Sequence, residues 1–218
     1  MFGPNGALYG TTNSGGTLGV LCHSNQRIKF GCGTVFQFTP PAQKGGSGTK
    51  TALYTFPGFK GDGVGPDAEI TFDSQGNLYG TTGGGTKGFG TVYQLTPPKN
   101  NGGSWTETVL FDFTGGSAGD GPGGTVTLGP NGVLYGTLSD SGVTNASGVV
   151  YQLTPPAQPG GAWTETVLHT PFPASRGTGR LRRQLWLLTG VETCTARLYS
   201  AVRLPVISVV APFSSWPR

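Results

Sequence analysis

Two glutamates, Glu107 and Glu165, occupy the same local setting, Trp-Thr-Glu-Thr-Val-Leu, at Trp105–Leu110 and Trp163–Leu168. A pair of carboxyl groups with separated pKa values is the usual equipment for general acid–base chemistry. Here the glutamate is copied from segment to segment, whereas an active site is normally unique, so the repetition reads as a strand position. Asp62 and Asp120 each stand in Gly-Asp-Gly. That motif admits a repeated calcium or ligand loop, but calcium takes several carboxylates and each loop supplies one. The preferred reading is an aspartate bonding the backbone of its own glycine turn, with Asp62 and Asp120 kept as ligand-loop candidates. Asp67, Glu69 and Asp73 read as turn or rim residues.

Cys22 and Cys32 lie in an insertion, LCHSNQRIKFGCG, that the second copy of the pattern lacks between Thr82 and Gly90. A disulfide would close it in a secreted chain, and a pair of free thiols is the alternative. His23 is the one further soft ligand nearby, and the spacing fits no zinc pattern. The other histidine is His169. Neither a Gly-x-Ser-x-Gly elbow nor a phosphate loop with its lysine occurs. The glycine runs Gly83–Gly85 and Gly115–Gly116 read as hairpin loops. Asn145-Ala146-Ser147 matches a glycosylation sequon. No catalytic, cofactor or metal residue is assigned, and no cofactor is expected.

The elements that hold these residues follow from an internal repeat. Leu-Tyr-Gly-Thr recurs around Tyr9, Tyr79 and Tyr135. Each copy is followed by GTVFQFTPP, GTVYQLTPP or GVVYQLTPP, at Gly33–Pro41, Gly90–Pro98 and Gly148–Pro156. TKTALYTF, WTETVLFDF and WTETVLH come next. The period is roughly 58 residues. Within one copy, strands are predicted over Ala68–Asp73, Gly76–Thr82, Thr91–Thr96 and Trp105–Phe113. Asp73–Gly76 makes a hairpin turn, and Pro97 and Pro98 stop the third strand. Alternation in the fourth places Trp105, Val109, Phe111 and Phe113 on one face. The aromatics at fixed positions, Tyr9, Tyr79, Tyr135, Phe36, Tyr93, Tyr151, Trp105 and Trp163, read as packing between neighbouring copies. The tyrosines at 9, 79 and 135 admit a sugar-stacking surface as the alternative. One four-stranded unit cannot bury its apolar face alone. The expectation is therefore all-β: a partial β-propeller of about three blades over residues 1–170, with a β-solenoid as the alternative.

These motifs, in this order and three times over, resemble the GloVer repeats of bacterial choice-of-anchor tandem-repeat proteins over about residues 1–170. The resemblance implies a secreted or surface-anchored β-repeat protein. The anchor that names that family is not in this sequence.

Charge is low, at 11% of 218 residues, and the formal balance of +4 misleads. Seven arginines and one acid follow Pro171, which leaves seven basic and nine acidic groups in residues 1–170. A basic face on the folded part is absent, so no nucleic-acid partner is expected. Neither a signal peptide nor a transmembrane span is legible.

Met1–Gly10 aligns with Thr127–Gly136, so the chain reads as starting within a repeat. Periodicity ends after His169. Leu187–Leu198, LLTGVETCTARL, can be encoded so that a start at its third base reads FDGGGNLYGTT, against FDSQGNLYGTT at Phe72–Thr82. The same shift lets Pro171–Gly179 read FPGxxGDG and Val210–Arg218 read GTVFQLAP. The expectation is a fourth repeat left out of frame near codon 170. Residues 171–218, with Cys194, would then form a tail never selected to pack. For function, the sequence leads to a non-enzymatic scaffold for a surface or extracellular ligand, able to self-associate through open blade edges. The alternative is a lactonase-type propeller with a metal at its axis.

Overall fold

The computed structural model describes residues 1–3, 5–16, 21–23, 26–27, 31–58, 62–100, 102–116, 119–140, 146–169, 172–173, 185–189 and 193–197. These residues form an all-β structure built on three antiparallel sheets, one for each copy of the repeat. The first copy contributes β1 (Leu8–Thr12), β2 (Leu21–His23), β3 (Gln26–Arg27), β4 (Thr34–Thr39) and β5 (Thr49–Thr55). Its sheet runs β1–β4–β5, and β2–β3 is a separate ribbon within the insertion. The second contributes β6 (Val64–Pro66), β7 (Thr71–Phe72), β8 (Leu78–Gly84), β9 (Thr91–Thr96) and β10 (Thr106–Asp112), in the order β10–β9–β8–β6 with β7 also on β8. The third repeats that plan with β11 (Asp120–Pro122), β12 (Thr127–Leu128), β13 (Leu134–Asp140), β14 (Ala146–Ser147), β15 (Val149–Thr154) and β16 (Thr164–His169). Beyond it lie β17 (Phe172–Pro173), paired with β14, and a hairpin of β18 (Leu185–Thr189) and β19 (Thr193–Arg197). A 3-10 turn lies at Pro130–Gly132, and among the described residues no sheet closes on itself.

The two repeat motifs are opposite halves of one cross-strand contact. Gly10, Gly80 and Gly136, the glycines of Leu-Tyr-Gly-Thr, pair in register with Phe36, Tyr93 and Tyr151. Each ring lies across its glycine. A Cβ at Gly80 or Gly136 would overlap the tyrosine hydroxyl, and one at Gly10 would stand 3.0 Å from the Phe36 ring. Only glycine leaves room for the ring, and the ring covers the backbone that glycine bares.

The strand forecast needs two corrections. The first strand, expected over Ala68–Asp73, is strand only at β7, Thr71–Phe72, and a further piece that was not forecast, β6, precedes it at Val64–Pro66, so the inner strand is split. Pro66 cannot donate to a ladder, and Gly65 takes φ +65°, so Asp67–Ile70 leaves the ladder and turns toward the first sheet. The fourth strand carries a bulge. Val109 faces Tyr93 and Phe111 faces Val92, leaving Leu110 unmatched. Leu53 and Leu168 are skipped in the same way in β5 and β16. The extra residue reverses the alternation. Trp105 therefore packs with the cluster between sheets one and two, while Phe111 and Phe113 join the cluster between sheets two and three.

The sheets stack face to face. Val35, Phe56, Ile70, Leu78, Tyr93 and Leu95 form the first interlayer, and Val92, Phe113, Val126, Leu134, Tyr151 and Leu153 the second. An edge-on aromatic chain recurs in both. Tyr54–Phe56–Tyr93 has centroid spacings of 5.1 and 5.3 Å, and Phe111–Phe113–Tyr151 has 5.1 and 5.1 Å. Polar bonds cross at matching places. Gly65 N–H donates to Cys32 O at 2.8 Å, and Gly121 N–H to Phe89 O at 3.1 Å. The Thr11 and Thr81 hydroxyls donate to Ala68 O and Gly124 O. The forecast for the tail, residues 171–218, falls largely outside the described residues.

Gly80→Ala should cost about 1–3 kcal/mol by overpacking against Tyr93, read as a lowered denaturant midpoint at constant slope. Tyr93→Phe should be neutral or stabilising by about 1 kcal/mol, because it removes a fully buried hydroxyl without a hydrogen-bond partner. A large loss in Tyr93→Phe would rule out an unpaired hydroxyl.

Candidate functional site

The split inner strands of the second and third copies bring their connectors to one place beside β1 of the first. Tyr9, Gly10, Thr11 and Asn13 from the first, Pro66–Glu69 from the second, and Gly123–Thr125 from the third line a cleft of about 480 Å³. Asp67 and Glu69 are exposed there, while the intervening Ala68 is buried. Their counterparts in the third copy are Gly123 and Thr125, so the acidic wall comes from one repeat alone. Asn13 reaches across to Gly65 O at 3.5 Å. Asp67 and Glu69, expected as turn or rim residues, stand at a rim. That the rim borders a cleft follows only from how the sheets stack.

A second polar group lies inside the junction of sheets one and two. The Tyr54 hydroxyl donates to Glu107 Oε2 at 3.0 Å and also lies 3.3 Å from Asp62 Oδ2. The bulge at Leu53 turns Tyr54 toward the second sheet. Glu107 meets it because two-residue spacing puts it on the face of Trp105 and Val109. Burial, then a hydrogen bond and the charge of Asp62, push the Glu107 carboxyl up to about 9. Burial, then the charges of Glu107 and Asp62, raise the Tyr54 hydroxyl far above its ordinary value. The third-copy Glu165 is also raised, by burial. The first copy has Lys50 at this position, with Nζ 4.6 Å from the centre of the Phe36 ring.

The two Gly-Asp-Gly motifs are not structural equivalents. Pro66 faces Thr82 and Pro122 faces Leu138, which matches Val64, not Asp62, with Asp120. Asp62 sits two residues ahead of its strand and engages Tyr54 rather than its own turn. Asp120 opens β11 directly opposite Asp140; burial and then that neighbouring charge raise its pKa. The turn role falls to Asp73. Its Oδ1 accepts from the Gln75 and Asn77 amides, both at 2.9 Å, and its Oδ2 from Asn77 Nδ2 at 2.7 Å and the Tyr79 hydroxyl at 3.1 Å. Burial works to raise its carboxyl, but these bonds hold it below its usual range. Burial and the charge of Asp73 in turn push Tyr79 up to about 12.

Tyr9 and Tyr79 are each 8% exposed, and Tyr93 and Tyr151 fully buried. Phe36, Tyr135, Trp105 and Trp163 are partly buried. Cys22 and Cys32 form a disulfide with Cα atoms 5.2 Å apart. Both are buried in the first interlayer, so the bond ties the insertion to the junction. Gly83 and Gly84 belong to the end of β8, not to a loop. His169 ends β16. Asn145, and residues 59–61 just ahead of Asp62, lie outside the described residues. Among the described residues no three His, Cys, Asp or Glu side chains group as a metal site. No helix among them is long and apolar enough to cross a membrane.

The family described as the Gloeobacter/Verrucomicrobia repeat matches residues 1–187. The chain belongs to this family. The match runs past residue 170, where the legible period ends. No curated protein and no solved structure matches the chain.

Replacing both cysteines by serine should cost roughly 2–3 kcal/mol, the loop-closure value for a ring of this size. The check is chemical denaturation beside a thiol titration of the native chain. Two reactive thiols in the native state would exclude the bond.

Proposed function

We propose that the chain is a non-enzymatic β-repeat scaffold of the cell surface or extracellular space. In this reading its sheets are blades of a propeller, and the cleft at their inner edges holds a polar envelope ligand such as a glycan. The observation that supports it is convergence: β1 and Asn13 of the first copy and the inner connectors of the second and third copies border one opening. Radial stacking produces that arrangement, and a solenoid of short coils has no such inner edge. Carboxylates at Asp67 and Glu69 and hydroxyls at Thr11 and Thr125 suit a polyhydroxylated partner.

The same carboxylates give some support to a second reading, a lactonase-type propeller with an axial metal. Metal analysis separates the two: stoichiometric calcium or zinc in the purified chain favours the enzyme. The repeat region, 1–170, and the tail, 171–218, remain separate units in this proposal, with a frame slip near codon 170. Resequencing codons 165–175 decides that point. Self-association would use the outer edges and the face of the third sheet, where Leu168 is 44% exposed.

Screening the purified chain against envelope glycans should give a binder. The double variant Asp67→Asn, Glu69→Gln should weaken it roughly tenfold or more, the weight of one charge-assisted hydrogen bond. Binding that survives both changes would move the site away from this cleft.

A further inference from the structure

Four carboxyl oxygens meet at the first junction with few donors. The Tyr54 hydroxyl brings one proton from β5. Asp62 Oδ1 and Glu107 Oε1 are buried and have no partner. Among the described residues the titratable groups that interact with Glu107 are Asp62 on the β5–β6 connector, Tyr54 on β5, and Tyr93 on β9, which feels its charge. None of them is a cation. The Tyr54 hydroxyl, 3.0 Å from Glu107 Oε2 and 3.3 Å from Asp62 Oδ2, sets the two carboxyl groups beside each other. Two ionised carboxylates so placed, out of water, repel strongly, and one proton between them turns repulsion into a hydrogen bond.

We propose that Asp62 and Glu107, with the Tyr54 hydroxyl of the first sheet against both, hold one proton at the junction of the first and second sheets, and that this proton is a pH-dependent latch whose loss weakens the junction. On release the O–H of Glu107 breaks and the proton passes to water or hydroxide, leaving a second carboxylate beside Asp62. No other bond changes. The latch occurs once among the described residues. At the second junction Phe111 stands where Tyr54 does, and Glu165 lacks a carboxyl partner among the causes of its shift.

The sign follows from linkage. The folded-state value of Glu107, about 9, lies above that of an unfolded glutamate. Its stabilisation is therefore complete below the unfolded value and is lost as pH rises toward 9. The test is the thermal midpoint of the full chain from about pH 5 to about pH 10. The wild type should lose midpoint steadily across that window. Glu107→Gln keeps a donor and cannot ionise, so its profile should be nearly level, while Glu165→Gln should keep most of the decline. A level wild-type profile, or a Glu107→Gln profile that falls in parallel with it, overturns the proposal. Infrared spectra supply a measure independent of unfolding. The wild type at neutral pH should show the carbonyl stretch of a protonated carboxyl, absent in Glu107→Gln and in Asp62→Asn. Its absence from the wild type is equally fatal.

Discussion

An aromatic ring laid across a glycine on the neighbouring strand is the contact on which the rest of this structure depends. Gly80 with Tyr93 and Gly136 with Tyr151 bring the first and second motifs of each repeat into register. A slip by one residue would put the ring over Tyr79 or Thr81 and turn every side chain to the wrong face. Because the ring sits flat, its edge is free to meet the next sheet: Phe56 touches Tyr93, and Phe113 touches Tyr151, both edge-on. The sheet and the stack are thus specified by one residue pair per copy.

A second glycine makes the stack close. Gly33 and Gly90 take φ +106° and +95°, and a Cβ there would strike Pro66 or Pro122 of the following copy. The proline that splits the inner strand therefore docks on the glycine that opens the next motif of the copy before it. The freed connector then borders the cleft, and the bulge at Leu53 turns Tyr54 into the junction. Both polar features arise from departures from regular strand geometry.

Much of this was legible in the sequence and some was not. β9 matches its forecast at both ends, since Gly90 and Pro97 punctuate it. The all-β class and the copy-by-copy organisation follow from motif order alone. The split of the inner strand was hinted at by Pro66 but hidden by the apolar Ala68, Ile70 and Phe72. The bulge left no mark, because Val109-Leu110-Phe111 is apolar on either parity. Asp62 and Asp120 looked equivalent because Gly-Asp-Gly is three residues long, and a two-residue offset within the repeat defeats so short a match. The parity of Glu107 with Trp105 and Val109 was visible and pointed inward. Its partners, 45 and 53 residues away, were not.

Everything here rests on successive sheets packing through their faces. Amide hydrogen exchange at Gly65 and Gly121 tests that most directly, because these amides donate across the two junctions rather than within a sheet. Protection comparable to that of Tyr93 and Tyr151 is expected if the sheets stack. Exchange at the rate of an open loop, with the strands still protected, would mean that the sheets form without stacking.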